Sequence, residues 1–382
     1  MQPAFNQLSR RRFLKASAAA SALTIGPLAI AKESATAQPT WHNVEEWGLE
    51  GKGYNDTAHY YDRLPARAKQ QVRNAVWRLS QHTAGMVARF KTDSDEIHVR
   101  YRLTQEKLEM PHMPATGVSG VDLYAYDYSS QRDSSSPWRW AATTKPGNQS
   151  VETRLIHDIP PRHNGAMREY LLYLPLYNGV ESLEIGVRDN ALLTGVAPRN
   201  IKPMVFYGTS IMQGACASRP GMAIPSILSR HLNRPSINLG FSGNGTMEAS
   251  VGKFLAELDP AVYVIDCLPN MNGKQVAERC QALVKLLREA RPKTPILLVE
   301  DRVNAGAWLR NGAPQFHQKN HAALKAAYKQ MVAGGTPHLH YLAGANLLGA
   351  DGEATTDGSH PNDLGMLRYA EAYKKVLQQK VL

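Results

Sequence analysis

The sequence predicts an α/β protein in which a doubly wound, parallel five-stranded sheet is preceded by a β-sandwich or jelly-roll domain. Three observations carry this expectation. From Pro203 onward, short apolar runs alternate with longer segments of helical period. Before about residue 200, apolar and polar residues instead alternate one by one, with Pro, Gly and Ser clusters between the runs. The 382 residues, 43% hydrophobic and 20% charged, are enough for two buried cores.

Residues 1–37 read as a targeting segment. Ser9-Arg10-Arg11-Arg12-Phe13-Leu14-Lys15 looks like a twin-arginine signal, followed by a weakly apolar stretch from Ala16 to Ala31 and the small-residue site Ala35-Thr36-Ala37. The expected location is therefore periplasmic or secreted. Five basic residues here against Glu33 account for four of the eleven excess positive charges. The rest lie in no Lys/Arg run with interleaved aromatics, so nucleic acid is not an expected partner. No later apolar run approaches the roughly 20 residues of a spanning helix, so no transmembrane segment is expected in the mature chain.

In residues 38–200, Glu96 to Leu103 and Ser182 to Val187 alternate with period two, the mark of half-buried antiparallel strands, and Val121 to Tyr126 and Glu169 to Leu174 are further strands. Trp138 and Trp140 alternate within a strand and read as core. In residues 201–382, strands are expected at Met204 to Tyr207, Ser236 to Leu239, Ala261 to Cys267, Ile296 to Glu300 and Leu339 to Leu342. Helices are expected near Pro220 to Leu232, Met247 to Leu258, Lys274 to Arg291, Phe316 to Val332 and Pro361 to Gln379. Strict alternation of this kind builds a parallel sheet with helices on both faces.

The chemistry centres on Tyr207-Gly208-Thr209-Ser210-Ile211-Met212-Gln213-Gly214, where a strand runs into a glycine-flanked serine. Open α/β sheets bind ligands at the carboxyl ends of their strands. Three later stretches join it: Asn238 to Gly245, containing Ser242-Gly243-Asn244; Leu268-Pro269-Asn270-Met271; and Asp357-Gly358-Ser359-His360-Pro361-Asn362. Together they resemble the SGNH (GDSL-type) hydrolases, whose sheet is flavodoxin-like. Gly120-Val121-Asp122-Leu123-Tyr124 resembles a Gly-x-Asp-Leu-Tyr signature of the β-domain in one branch of that family.

The resemblance implies Ser210 as nucleophile, His360 as general base and Asp357 as the group orienting its imidazole. It implies the backbone N–H groups of Ser210 and Gly243 and the side-chain amide of Asn270 as oxyanion donors. Position 212 is methionine, so the Gly-x-Ser-x-Gly elbow of α/β-hydrolases is absent. The resemblance departs at Thr209, where the family has Asp. Arg219 is expected to contact substrate, with a salt bridge as the competing reading. No metal and no cofactor are expected. Gly240, Gly243 and Gly245 are in the wrong order for a dinucleotide site, and His317 and His321 lack the glutamate of His-Glu-x-x-His and read as a solvated helix face. Cys216, Cys267 and Cys280 match no zinc spacing; buried free thiols are favoured over a Cys216–Cys267 bridge.

The implied activity is an exported serine esterase with acylated carbohydrate, O-acetyl esters foremost, as its substrate. The alternatives are a lipase, lysophospholipase or thioesterase on longer acyl chains, or an inactive carbohydrate-binding protein. The sequence leaves the oligomeric state open.

Overall fold

The computed structural model describes residues 38–129 and 136–382; the expected export signal lies outside them. The first half carries β1 (Thr40–Asn43), α1 (Asn74–Ser80), β2 (Val87–Thr92), β3 (Ile97–Leu103), α2 (Ala115–Val118), β4 (Asp122–Tyr126), β5 (Trp138–Thr143), β6 (Ser150–Ile156), β7 (Arg168–Tyr173), β8 (Val180–Val187) and β9 (Leu193–Gly195). Two antiparallel sheets form, β1-β8-β3-β6 and β5-β4-β7-β2-β9. The alternation read in the sequence is what packs them. Ile97, Val99 and Tyr101 of one sheet meet Phe90, Leu123 and Leu172 of the other in a single apolar cluster, while Arg100 and Arg102 face out toward Glu184 and Glu181.

The second half carries β10 (Met204–Gly208), α3 (Ser210–Gln213), α4 (Ile224–His231), β11 (Ser236–Gly240), α5 (Ala249–Glu257), β12 (Val262–Asp266), α6 (Gly273–Ala290), β13 (Ile296–Val299), α7 (Ala313–Ala333), β14 (Leu339–Leu342) and α8 (Asp363–Val376). The five strands pair in parallel in the order β11-β10-β12-β13-β14, the doubly wound order of flavodoxin-like sheets. Met204 and Phe206 pack with Ile211, Ile227 and Tyr369 on one face. Val205 and Tyr207 pack with Phe254, Leu283 and Leu324 on the other. Burial on both faces is why these strands read as unbroken apolar runs. Local signals start the helices: Asn272 and Gln275 form a reciprocal capping box at α6, and the Asn362 side chain accepts from Gly365 N–H at α8. Pro361, expected in the first turn of that last helix, instead lies one residue before its cap.

Residues 38–200 are not wholly a β-domain. Tyr54, Leu64, Ala68, Val72, Val76 and Trp77, from the segment ending in α1, belong to the same cluster as Val205, Ile237 and Phe254. Gln38–Leu382 accordingly forms one unit. Two buried polar anchors fasten the halves. Arg63 donates from Nε to His82 O (2.8 Å), from Nη1 to Asn238 O (2.9 Å) and Gly240 O (2.8 Å), and from Nη2 to Leu79 O (2.7 Å). Burial without a carboxylate partner pushes its pKa down to about 9. Asp122, the acidic residue of the Gly-x-Asp-Leu-Tyr signature, is fully buried and accepts from Arg219 Nη1 (2.9 Å), Gly221 N–H (2.8 Å) and Trp140 Nε1 (3.0 Å).

Candidate active site

Three loops follow the carboxyl ends of β10, β11 and β12, where the strand order reverses, the edge at which open α/β sheets bind ligands. Ser210 is the first residue of α3, directly after β10, and is only 7% exposed. The Thr209 hydroxyl, in place of the expected carboxylate, caps this short helix by accepting from Ile211 N–H at 3.4 Å. The turn is packed backbone on backbone. A Cβ on Gly240 would stand 2.2 Å from Gln213 N, and Gly245 combines a φ of +71° with a would-be Cβ 1.9 Å from Gly208 O. Glycine is required at both positions.

The chain after β14 brings the second element to the serine. Ser210 Oγ lies 2.9 Å from His360 Nε2, and His360 Nδ1 lies 2.7 Å from Asp357 Oδ2. With the Nδ1 proton donated to the carboxylate, Nε2 is left to accept from the serine hydroxyl. Asp357 Oδ1 accepts the backbone N–H of Ser359 (3.0 Å) and of His360 (2.8 Å), so one carboxylate closes the turn and orients the ring. Partial burial pushes the Asp357 carboxyl up, but the hydrogen bonds from His360 and Ser359 outweigh it and hold the pKa at about 2.

In the loop after β11, Gly243 is exposed with φ +66°. The Asn270 side chain, following β12, donates one Nδ2 hydrogen to Asn244 O at 2.7 Å, which fixes the amide and leaves its second hydrogen free of that bond. Gln213 ties the loop after β11 to the nucleophile helix by accepting Ser242 N–H at 3.0 Å. The candidate nucleophile, base and orienting carboxylate are thus in hydrogen-bond contact, and the three candidate N–H donors lie at or just after the ends of β10, β11 and β12. Such an arrangement can carry acyl transfer.

The structure corrects three expectations. Arg219 is not a free cation: it is committed to Asp122 and to the Tyr124 hydroxyl (2.6 Å), the salt-bridge reading. Trp140 is not core; it is 51% exposed, holding Asp122 from the surface, while Trp138 is half-buried. His317 and His321 do not form a solvated face. His317 Nδ1 lies 2.9 Å from Asp301 Oδ2 and His321 Nε2 2.6 Å from Asp301 Oδ1, with Arg302 beside them. Burial pushes the Asp301 carboxyl up, but these bonds outweigh it and lower its pKa; burial lowers that of His321, but Asp301 outweighs it and raises it.

This cluster sits behind the catalytic turn, a role invisible in sequence spacing. Arg302 Nε donates to Ser359 O (2.9 Å), and Ala305 N–H to Gly358 O (2.8 Å). Cys216, Cys267 and Cys280 are free and buried. Burial raises the Cys216 thiol to about 11, and its S–H points at His112 O, 3.4 Å away.

A hairpin from the first half also reaches the site. Met110 and Met113 exchange backbone bonds of 3.0 and 2.9 Å, which sets the His112 ring 5.7 Å from the His360 ring. Lys107 to Pro114 and Thr356 line an open groove of about 740 Å³ beside the catalytic turn.

Comparison with known proteins agrees with this architecture. Residues 201–378 match the sequence model of the GDSL-like lipase/acylhydrolase family, and residues 39–193 match that of the N-terminus of SGNH-hydrolase-type esterases. A crystal structure from Bacteroides ovatus, described as a GDSL-like lipase, is 32% identical with a TM-score of 0.81 over 89% of this chain and 97% of its own. A salicylyl-acyltransferase from a tetracycline biosynthetic pathway is 17% identical, TM-score 0.67, over 87% of this chain and 94% of its own. A family-two carbohydrate esterase from Clostridium thermocellum, in complex with cellohexaose, is 12% identical, TM-score 0.54, over 78% of this chain and 93% of its own. The last two share the fold. No curated protein sequence matches the chain.

Proposed function

The chain belongs to the GDSL-like lipase/acylhydrolase family and is a carboxylic ester hydrolase of the SGNH type, and from that premise we propose an exported serine esterase that removes short acyl groups, O-acetyl foremost, from carbohydrates. The observation that carries this reading is the relay Ser210 Oγ, His360 Nε2, His360 Nδ1, Asp357 Oδ2, with successive contacts of 2.9 and 2.7 Å.

In this reading Ser210 attacks the ester carbonyl as His360 takes the hydroxyl proton, and Asp357 stabilises the imidazolium. The N–H groups of Ser210, Gly243 and the Asn270 amide receive the oxyanion, each worth roughly 3–4 kcal/mol in the transition state. Collapse expels the sugar alkoxide, which takes the proton from His360. Water, giving its proton to the same nitrogen, then releases the acid and restores Ser210.

The carbohydrate assignment draws support from the openness of the groove beside the site, which leaves room for a leaving group much larger than a simple alcohol. The shared fold of the cellohexaose-bound esterase and of an acetyl xylan esterase from Butyrivibrio proteoclasticus (9% identical, TM-score 0.53) supports it further. Export is supported by the arginine-led pattern from Ser9 to Lys15.

The test is the hydrolysis of p-nitrophenyl acetate, butyrate and octanoate by the wild type and by Ser210→Ala, with and without a chelator. Acetate-dominated turnover that disappears in the mutant and ignores the chelator is the expected result. Activity surviving in Ser210→Ala contradicts the mechanism, and a maximum at octanoate contradicts the substrate class.

A further inference from the structure

The proposed esterase reaction makes no use of His112 or Cys216, yet both are built into the wall beside His360. The hairpin carrying His112 is anchored by Met113, buried among Ile211 and Met212, so the imidazole is presented by a fixed backbone while its ring remains exposed. Cys216 holds the same hairpin by donating to His112 O, and it occupies a left-handed conformation with φ +66°, which non-glycine residues seldom adopt. One ring nitrogen from each of His112 and His360 and the sulfur of Cys216 all lie within 4.8 Å of one another.

Two imidazoles and a thiol are a borderline-soft donor set, the chemistry that selects zinc and its neighbours over magnesium or calcium. Around a tetrahedral zinc, with bonds of about 2.0–2.3 Å, such donors stand roughly 3.3–3.6 Å apart. Closing from the present spacing asks any pair of donors to draw together by at most about 1.5 Å. By contrast, the cluster of Asp301, His317 and His321 is already saturated: both carboxylate oxygens take histidine bonds, and His317 Nε2 accepts from Asn304 N–H at 3.4 Å.

We propose that His112, Cys216 and His360 form an inhibitory site for a divalent transition metal of the zinc type. As the metal–sulfur bond forms, the Cys216 thiol gives its proton to solvent. The lone pair available on His360 is that of Nε2, since Nδ1 faces Asp357; its donation to the metal removes the acceptor that Ser210 needs. The Asp357 to His360 hydrogen bond survives and strengthens the ligand, as carboxylates behind metal-bound histidines do. Inhibition rests on the serine-esterase reading, whereas metal binding does not.

Two measurements on the chelator-stripped chain test this. First, micromolar Zn²⁺ is titrated into p-nitrophenyl acetate hydrolysis by the wild type, Cys216→Ser and His112→Asn. The expected result is a wild-type rate lost at one metal per chain and restored by chelator, with each variant, scored against its own metal-free rate, needing roughly 10–100-fold more zinc. Second, Co²⁺ is added and the thiolate-to-cobalt charge-transfer band is sought; it should appear in the wild type and be absent from Cys216→Ser. Zinc inhibition of equal strength in all three proteins overturns the proposal, as does the absence of the band from the wild type. Should the wild type hydrolyse no ester, the esterase reading fails while the cobalt band still decides the metal site.

Discussion

Asp357 and Asp266 are two carboxylates near one site with opposite fates. Asp357 takes three hydrogen bonds and stays ionised down to about pH 2, as the partner of the proposed base His360 must. Asp266, the last residue of β12, is fully buried; Tyr373 donates to its Oδ2 at 2.5 Å and its Oδ1 has no partner. Burial raises its pKa to about 7 despite that bond. The unfolded chain ionises this group near pH 4 while the folded protein retains the proton, so its contribution makes the fold less stable as pH rises from about 4 to 7. Asp266→Asn, which keeps the shape without the charge, is expected to gain melting temperature over wild type at pH 8 and nothing at pH 4. An equal difference at both values would show that the side chain does not titrate in this window. The competition at Arg219 is of the same kind and could not be read from spacing, because Asp122 lies 97 residues away.

At the scale of elements, the loop after β13 clamps the catalytic turn. Asp301, drawn onto α7 by His317 and His321, fixes the backbone from which Arg302 and Ala305 hold the carbonyls of Ser359 and Gly358. Loosening it should misplace His360 without touching substrate. His317→Ala is therefore expected to lower kcat for p-nitrophenyl acetate by up to roughly a hundredfold with KM little changed. A change in KM alone would contradict the clamp. Histidines four residues apart on a helix look solvated in sequence because the carboxylate they serve comes from another element. The parallel strands are legible for the opposite reason: Val262 to Asp266 is buried on both faces, and no neighbour is needed to recognise it. Strand β2, Val-Ala-Arg-Phe-Lys-Thr, escapes notice because its Arg89 is drawn inward by Glu50 and Glu169, which blurs the alternation.

For the whole molecule, the change in pattern near residue 200 marks where the sheets change, but not where the cores divide. The short motifs around Ser210, Gly243, Asn270 and His360 are legible because their chemistry is local to strand ends. The covering segment from Tyr54 to Trp77 is not, since its apolar residues acquire a partner only through Ile237 and Phe254. A chain beginning at residue 201 would expose that apolar face to water and remove the donor that the carbonyls of Asn238 and Gly240 share. It is expected to be insoluble or molten by near-ultraviolet circular dichroism, and Arg63→Ala in the full chain to melt well below wild type. A soluble, cooperatively melting fragment would show that the halves are separable after all.

The Arg63 clamp also bears on the order in which the protein comes into being. Two of the carbonyls it binds belong to residues 175 and 177 positions later. While the ribosome is still making that stretch, the guanidinium remains in water and the segment around it has no surface to close upon. Contacts of such long range slow folding and keep apolar surface in view meanwhile. The segment from Tyr54 to Trp77 is thus translated early and finished late, its apolar face without a partner until β11 has emerged.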